Sequence, residues 1–129
     1  MANGKIKADT LEHSTAGALD TLYVVSGSAK AWINIDMINA VTLDSLNSSG
    51  ITDVSTGVFR DHLAAALVNA NYAVTTSAMD PTKTASGGTN RTADGTPSST
   101  TQFVMRASAY DNTANDVPAA AGTANGDLA

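Results

Sequence analysis

At 129 residues with a formal net charge of −5, the chain is sized for one domain with one core, and its seven thinly spread Lys and Arg exclude an electrostatic footprint for nucleic acid. With no cysteine there is no disulfide framework, thiolate nucleophile or cysteine metal site. Apolar residues reach 43% but aromatic ones only 5%, so much of the core is alanine, burial per residue stabilises weakly, and association with further copies is a natural remedy.

Glu12 is the single Glu among the twelve acidic residues. The short Asp carboxylate that makes up the rest competes with helical backbone bonding and favours turns and strand ends. Abundant Thr and Ser point the same way. No apolar run of signal-peptide length follows the N-terminal lysines, because Asp9 and Glu12 interrupt it, and no run of about 18 apolar residues occurs. The expectation is a chain made in a cytoplasm, without membrane insertion.

In chain order, Ile6–Leu11 and Leu19–Val25 predict a strand, a loop and a strand, and residues 1–25 are assigned to an N-terminal docking or hairpin segment. Residues 26–129 are assigned to a β-sandwich domain. Its most regular stretch is Ser28–Ile35, where a period of two sets Ala29, Ala31, Ile33 and Ile35 on one face and Lys30, Trp32, Asn34 and Asp36 on the other. Val41–Asn47 and Ile51–Val54 predict strands broken by Ser48-Ser49-Gly50, and Ser55-Thr56-Gly57 turns into a strand over Val58–Leu63. Turn signals at about this spacing mark a sandwich or barrel.

Asp61–Asn71 is alanine- and leucine-rich, so helix propensity with an Asp61 cap competes there with a strand followed by a loop. The strand reading is preferred, because a helix of about three turns is marginal alone. Tyr72–Met79 alternates as a strand. Asp80–Thr101 contains no Ile, Leu, Val, Phe, Tyr or Met and is expected to be a long outer loop, with Lys83, Asn90, Arg91 and Asp94 as its recognition residues. Gln102–Tyr110 returns to strand, Phe103, Met105, Ala107 and Ala109 facing in and Val104, Arg106, Ser108 and Tyr110 facing out. The polar, alanine-rich tail from Asp111 is expected to be weakly ordered.

Little of this chemistry is catalytic. Asp61 and His62 are adjacent, so on a strand they point to opposite faces and make a poor dyad. His13 sits in a turn-like segment, and there is no Gly-x-Ser-x-Gly elbow. The spacing of Asp36, Asp44, Asp53 and Asp111 does not match a calcium loop, and Gly87-Gly88 has no helix pattern behind it to cradle a phosphate. The expectation is therefore no enzyme, no metal and no cofactor. Lys30, Trp32 and Asn34 form either a subunit contact or a platform for a sugar ring, strand tryptophans more often packing than binding.

From Gly27 onward the sequence resembles a domain that recurs in tailed-bacteriophage virion proteins, often tail fibres of marine phages. The family pattern runs Ala-Lys-Ala-Trp-Val-Asn-Phe, Ser-Phe-Asn-Val-Ser-Ser-Ile-Thr-Asp, a Gly-Thr-Gly-type turn, a strand, and Asn-Tyr-Ala-Val. The matching pieces are Ala29-Lys-Ala-Trp-Ile-Asn-Ile35, Ser45-Leu-Asn-Ser-Ser-Gly-Ile-Thr-Asp53, Ser55-Thr-Gly57 and Asn71-Tyr-Ala-Val74, in the same order. Lys5-Ile-Lys-Ala-Asp-Thr-Leu11 also resembles the stretch that precedes this domain, and Gly126-Asp-Leu-Ala129 is similar to its ending. Departures are Ile35 and Leu46 where the family tends to have Phe, Asp61 intruding in a strand that is usually apolar, and no strongly apolar final strand between Tyr110 and Gly126.

The resemblance implies an all-β, antiparallel β-sandwich or jelly-roll-like subunit of a virion, a homotrimer whose sheet is completed by a neighbour. Its partners would be other virion proteins and a host surface glycan, and its action host attachment or virion assembly. The alternatives are a capsid decoration protein, docked through its N-terminal segment to stabilise the head, and a soluble carbohydrate-binding module built on Trp32.

Overall fold

The computed structural model describes residues 8–13, 17–79, 92–109 and 111–129. The chain begins as a hairpin, β1 (Thr10–His13) against β2 (Gly17–Asp20), with Leu11 opposite Leu19. The strand expected to continue to Val25 ends at Asp20 and becomes a short helix, α1 (Thr21–Gly27). The Thr21 N–H donates to the Asp9 carbonyl at 2.9 Å and its hydroxyl to the Ala8 carbonyl at 2.7 Å. At the other end the Lys30 ammonium donates to the Val25 carbonyl and, at 3.2 Å, to that of Ser28. A helix satisfies its own backbone, and a cation on its last carbonyls favours this ending.

Eight further strands follow: β3 (Ala31–Asp36), β4 (Val41–Leu46), β5 (Ser48–Ser55), β6 (Val58–Leu63), β7 (Ala73–Ala78), β8 (Thr92–Ser99), β9 (Gln102–Ser108) and β10 (Ala120–Asn125). They form two four-stranded antiparallel sheets, in the orders β4-β3-β10-β7 and β5-β6-β9-β8. The all-β sandwich expected from the turn spacing is therefore the fold.

Inward faces follow the period of two. Ala31, Ile33 and Ile35 on β3 meet Phe59 and Leu63 on β6 and Phe103, Met105 and Ala107 on β9, all buried. Completely burying an aromatic such as Phe59 or Phe103 contributes roughly 2–3 kcal/mol.

The first sheet is completed from an unexpected quarter. The final strand lacks every large apolar residue, yet β10 lies between β3 and β7, pairing Thr123 with Trp32 on one side and Thr75 on the other. Its inward residues are Ala120, Gly122 and Ala124. A Cβ on Gly122 would stand 2.5 Å from the Met105 sulfur and 2.8 Å from the Phe103 ring. The small strand is what leaves room for the large side chains of the opposite sheet, which is why an apolar-run search passes over it.

The tail before β10 is held as well, against expectation. Val117 is fully buried, its carbonyl accepts from the Met37 N–H at 3.0 Å, and the Asp116 carboxylate accepts from the Gly57 N–H at 2.6 Å. The same segment folds over the end of β9, with Asn115 N–H donating to Ala107 O. Ser108, expected to face solvent, is buried beneath it; Tyr110 lies outside the described residues.

Two boundaries also move. Thr92–Ser99, assigned to the outer loop, is β8, hydrogen-bonded to β9 along its length. Its Gly95 lies under Val74 of β7, closing the sandwich on that side, since a Cβ there would meet the Val74 methyl at 2.5 Å. The expected break at Ser48-Ser49-Gly50 falls instead at Asn47, at φ +57°, where Asn tolerates the left-handed region, and within β5 it persists only as a register shift between Ser48 and Gly50. The Asn47 side-chain amide donates to the carbonyls of Lys30 and Ala65 at 3.1 Å each, and its carbonyl oxygen accepts from the Ala65 N–H at 2.6 Å. That one residue carries the chain from the first sheet to the second. After Leu63 the chain leaves the strand as an irregular segment anchored by buried Leu67, so the strand-then-loop reading of 61–71 holds.

Candidate functional site

The outward face of the first sheet carries the residues singled out on β3. Trp32 and Asn34 face away from the core, partly exposed, while their neighbours Ala31, Ile33 and Ile35 are buried. Antiparallel register lines them up in cross-strand rows. One row runs Leu46, Trp32, Thr123, Thr75; the next runs Asp44, Asn34, Ala121, Ser77. Around Ala121 the face dips into an open depression of about 360 Å³, bordered by Asn34 on one side and Ser77 and Met79 on the other, with Ala119, whose carbonyl accepts from the Met79 N–H, extending the strand between them. Lys30 is drawn away from this face, because its ammonium is occupied by the Val25 and Ser28 carbonyls and the Ser28 hydroxyl.

Of the outer-loop residues, Lys83, Asn90 and Arg91 lie outside the described residues. Asp94 sits on β8, exposed, 3.8 Å from the Arg106 guanidinium. It belongs to the second sheet, so it does not join Trp32 and Asn34.

Along β4 the sandwich is open. This is an outer strand, and Val41, Leu43 and Leu46 are each about half exposed (49%, 55% and 49%). The pairing with β3 skips Leu43, which bulges between Thr42 and Asp44. Ile38 in the preceding turn and Val54 on outer strand β5 are exposed as well. The hairpin and helix add Leu11, Leu19, Tyr23, Val24 and Val25, all exposed.

A third feature, which the sequence marks only as an acidic residue intruding in a usually apolar strand, is the burial of Asp61. Asp61 is fully buried on β6, between the inward side chains of Phe59 and Leu63. The Ser48 hydroxyl donates to one carboxylate oxygen at 2.5 Å, while the other has no partner. Burial pushes the carboxyl up to about 6, partly offset by the Ser48 hydrogen bond and the charge of His62. Tyr72 lies close enough that Asp61 adds to the burial holding its hydroxyl above the ordinary range, and that hydroxyl is within reach of the Ser99 and Gln102 carbonyls. The signal was the period itself: Phe59, Asp61 and Leu63 share one face.

His62 points the other way. The Gln102 side-chain amide nitrogen lies 3.1 Å from its Nδ1 and the Thr52 hydroxyl 2.8 Å from its Nε2. Asp61 and His62 therefore make no dyad. Among the described residues no three His, Cys, Asp or Glu side chains are grouped to hold a metal. No family model, curated protein or solved structure matches the chain.

Proposed function

We propose that the chain is a structural protein of a tailed-phage particle, a small appendage subunit of the tail-fibre type that acts by binding and assembles as a trimer. The sequence resemblance supports the class. The observation that carries the reading is the open β4 edge, where Val41, Leu43 and Leu46 are exposed on a strand whose single charge is Asp44. Proteins that remain monomeric blunt such edges with lysine, proline or a covering loop, and contiguous exposed apolar groups of this kind mark association surfaces. A second copy set against β4 would cover them.

The test is the mass of the full-length protein in solution across a dilution series. Three subunits are expected for the natural sequence, and Leu43→Lys should lower the mass without changing the melting temperature. A folded monomer at the highest concentration would overturn the self-association reading.

A second reading, head decoration, is favoured by the apolar residues of the hairpin and helix. Leu19→Asp with Tyr23→Asp should then abolish attachment to heads in the full-length chain. Retention on heads counts against it.

A further inference from the structure

We propose that the first residues of β5, Ser48 to Gly50, form a pH-sensitive latch over Asp61, shut while the buried carboxyl carries its proton and parted from β6 once that proton is lost. The latch is a property of the sandwich itself, independent of the phage reading and of the trimer.

Its cause is what surrounds the carboxyl. Asp61 is paired with Ile51 of β5 on one side and with Phe103 of β9 on the other, between Phe59 and Leu63 on its own strand. The inward positions of β3, β7, β9 and β10 carry no titratable side chain, and those of β4 are Thr42 and Ser45. Two titratable groups act on Asp61, Tyr72 and His62. Tyr72 directs its hydroxyl to the Ser99 and Gln102 carbonyls, and His62 lies against Thr52 and Gln102 on the outward face of β6. On β5 the acid Asp53 stands opposite Phe59 and is exposed. An ionised Asp61 would therefore have one donor, the Ser48 hydroxyl, and one dry oxygen. A charge in that setting is unfavourable, so the group either keeps its proton or draws water.

Water has one way in. β6 and β9 are inner strands of their sheet, whereas β5 is an outer one. Its opening residues are fixed to β6 by side chains in place of an unbroken ladder. The Ser48 hydroxyl donates to Asp61, the Ser49 hydroxyl to the His62 carbonyl at 3.0 Å, and the Gly50 N–H to the Ser48 hydroxyl at 3.3 Å. The pairing passes over Ser49, and a Cβ on Gly50 would meet nothing within 4 Å, so the segment has room to lift. Asn47 is the hinge. Its backbone and side-chain oxygens accept from the Ala64 and Ala65 N–H groups at 3.1 and 2.6 Å, and these bonds part when the segment swings away.

Burial raises the carboxyl from 3.8 to about 6 in the closed form. Closure is thus fully favoured below about pH 4 and weakens until the pH has passed about 6. Between pH 4.5 and 8 the closed form loses weight by roughly twentyfold.

Hydrogen exchange of the full-length protein, corrected at each pH for the intrinsic rate, reads the latch directly. Protection of the Gly50, Ala64 and Ala65 amides should fall by roughly twentyfold over that range and level off above about pH 6. The Met37 amide, bonded to the Val117 carbonyl at the opposite end of β3, should keep its protection. Asp61→Asn should hold the three latch amides at their protected level throughout. Should that variant fail to fold, the Asp61 carboxyl carbon is followed by NMR in the natural sequence, where the levelling-off must coincide with its ionisation. Protection that ignores pH, an equal fall at Met37, or an unchanged pH response in Asp61→Asn would each overturn the latch. So would a carboxyl that ionises while the three amides stay protected.

Discussion

Replacing Asp61 by Asn tests the reasoning about the core most directly. The carboxyl is fully buried with one hydrogen bond, from Ser48 at 2.5 Å, and a partnerless second oxygen. Its pKa rises from 3.8 to about 6 on folding. A group whose folded value is raised binds its proton more tightly in the folded state, so its favourable contribution is fully present below about pH 4 and is lost as the pH rises through about 6. At about 1.4 kcal/mol per pH unit, that difference of roughly two units is worth about 3 kcal/mol, a large share of the roughly 5–15 kcal/mol that holds a domain together. For a chain of this size it amounts to a shift of about 10 °C in melting temperature. Asn keeps the shape and the Ser48 contact but has no charge to desolvate. Thermal unfolding of both proteins by circular dichroism from pH 4 to pH 8 should show Asp61→Asn gaining on the natural sequence by up to that amount, less the cost of an unpaired amide. Taking the difference between the two cancels every other titrating group. A difference that stays constant across the range would refute the assignment of Asp61 as a desolvated core acid.

Gly57 adopts φ +69°, and a Cβ there would stand 2.5 Å from the Asn115 nitrogen and 2.6 Å from the Ala107 oxygen, both backbone. Gly57→Ala should therefore destabilise by more than about 1 kcal/mol, read from the midpoint of urea unfolding. Asp94→Ala removes an exposed pairing with Arg106 at 3.8 Å and should cost less than about 1 kcal/mol in the same assay, and less still in high salt.

Where large apolar residues alternated with others, the fold was legible. Ile33 and Ile35 set the inward face of β3, and Phe103 and Met105 that of β9. Turn residues located the β5–β6 hairpin at Thr56-Gly57 and the sandwich as a whole. The method weakened where structure was made by what is absent. β10 is recognisable only once Phe103 and Met105 are known to need the space over Gly122. Thr92–Ser99 carries no large apolar side chain because Gly95 is covered by Val74. Lys30 looked like a partner of Trp32 because they share a strand face, and only the fold of Thr21–Gly27 into a helix shows its ammonium to be engaged elsewhere. Trp32 and Asn34 were placed on the correct face by period alone. Their companions Ala121, Thr123 and Ser77 were not, since cross-strand neighbours so far apart in the chain leave no local pattern.

The position of β10 also sets an order of events during synthesis. β3 is made early, but one of its two neighbours in the sheet lies about 90 residues further along, a span whose closure is entropically slow. Until Ala120–Asn125 has left the ribosome, β3 and β4 can exist as no more than a hairpin, and β7 has no strand beside it in its own sheet. A two-stranded ribbon is marginal in water, and the cover that Gly122 gives Phe103 and Met105 is missing for that interval. Nascent chains stalled ahead of residue 120 should thus be protease-sensitive and bound by chaperones, and release of the last strand should convert them in one cooperative step.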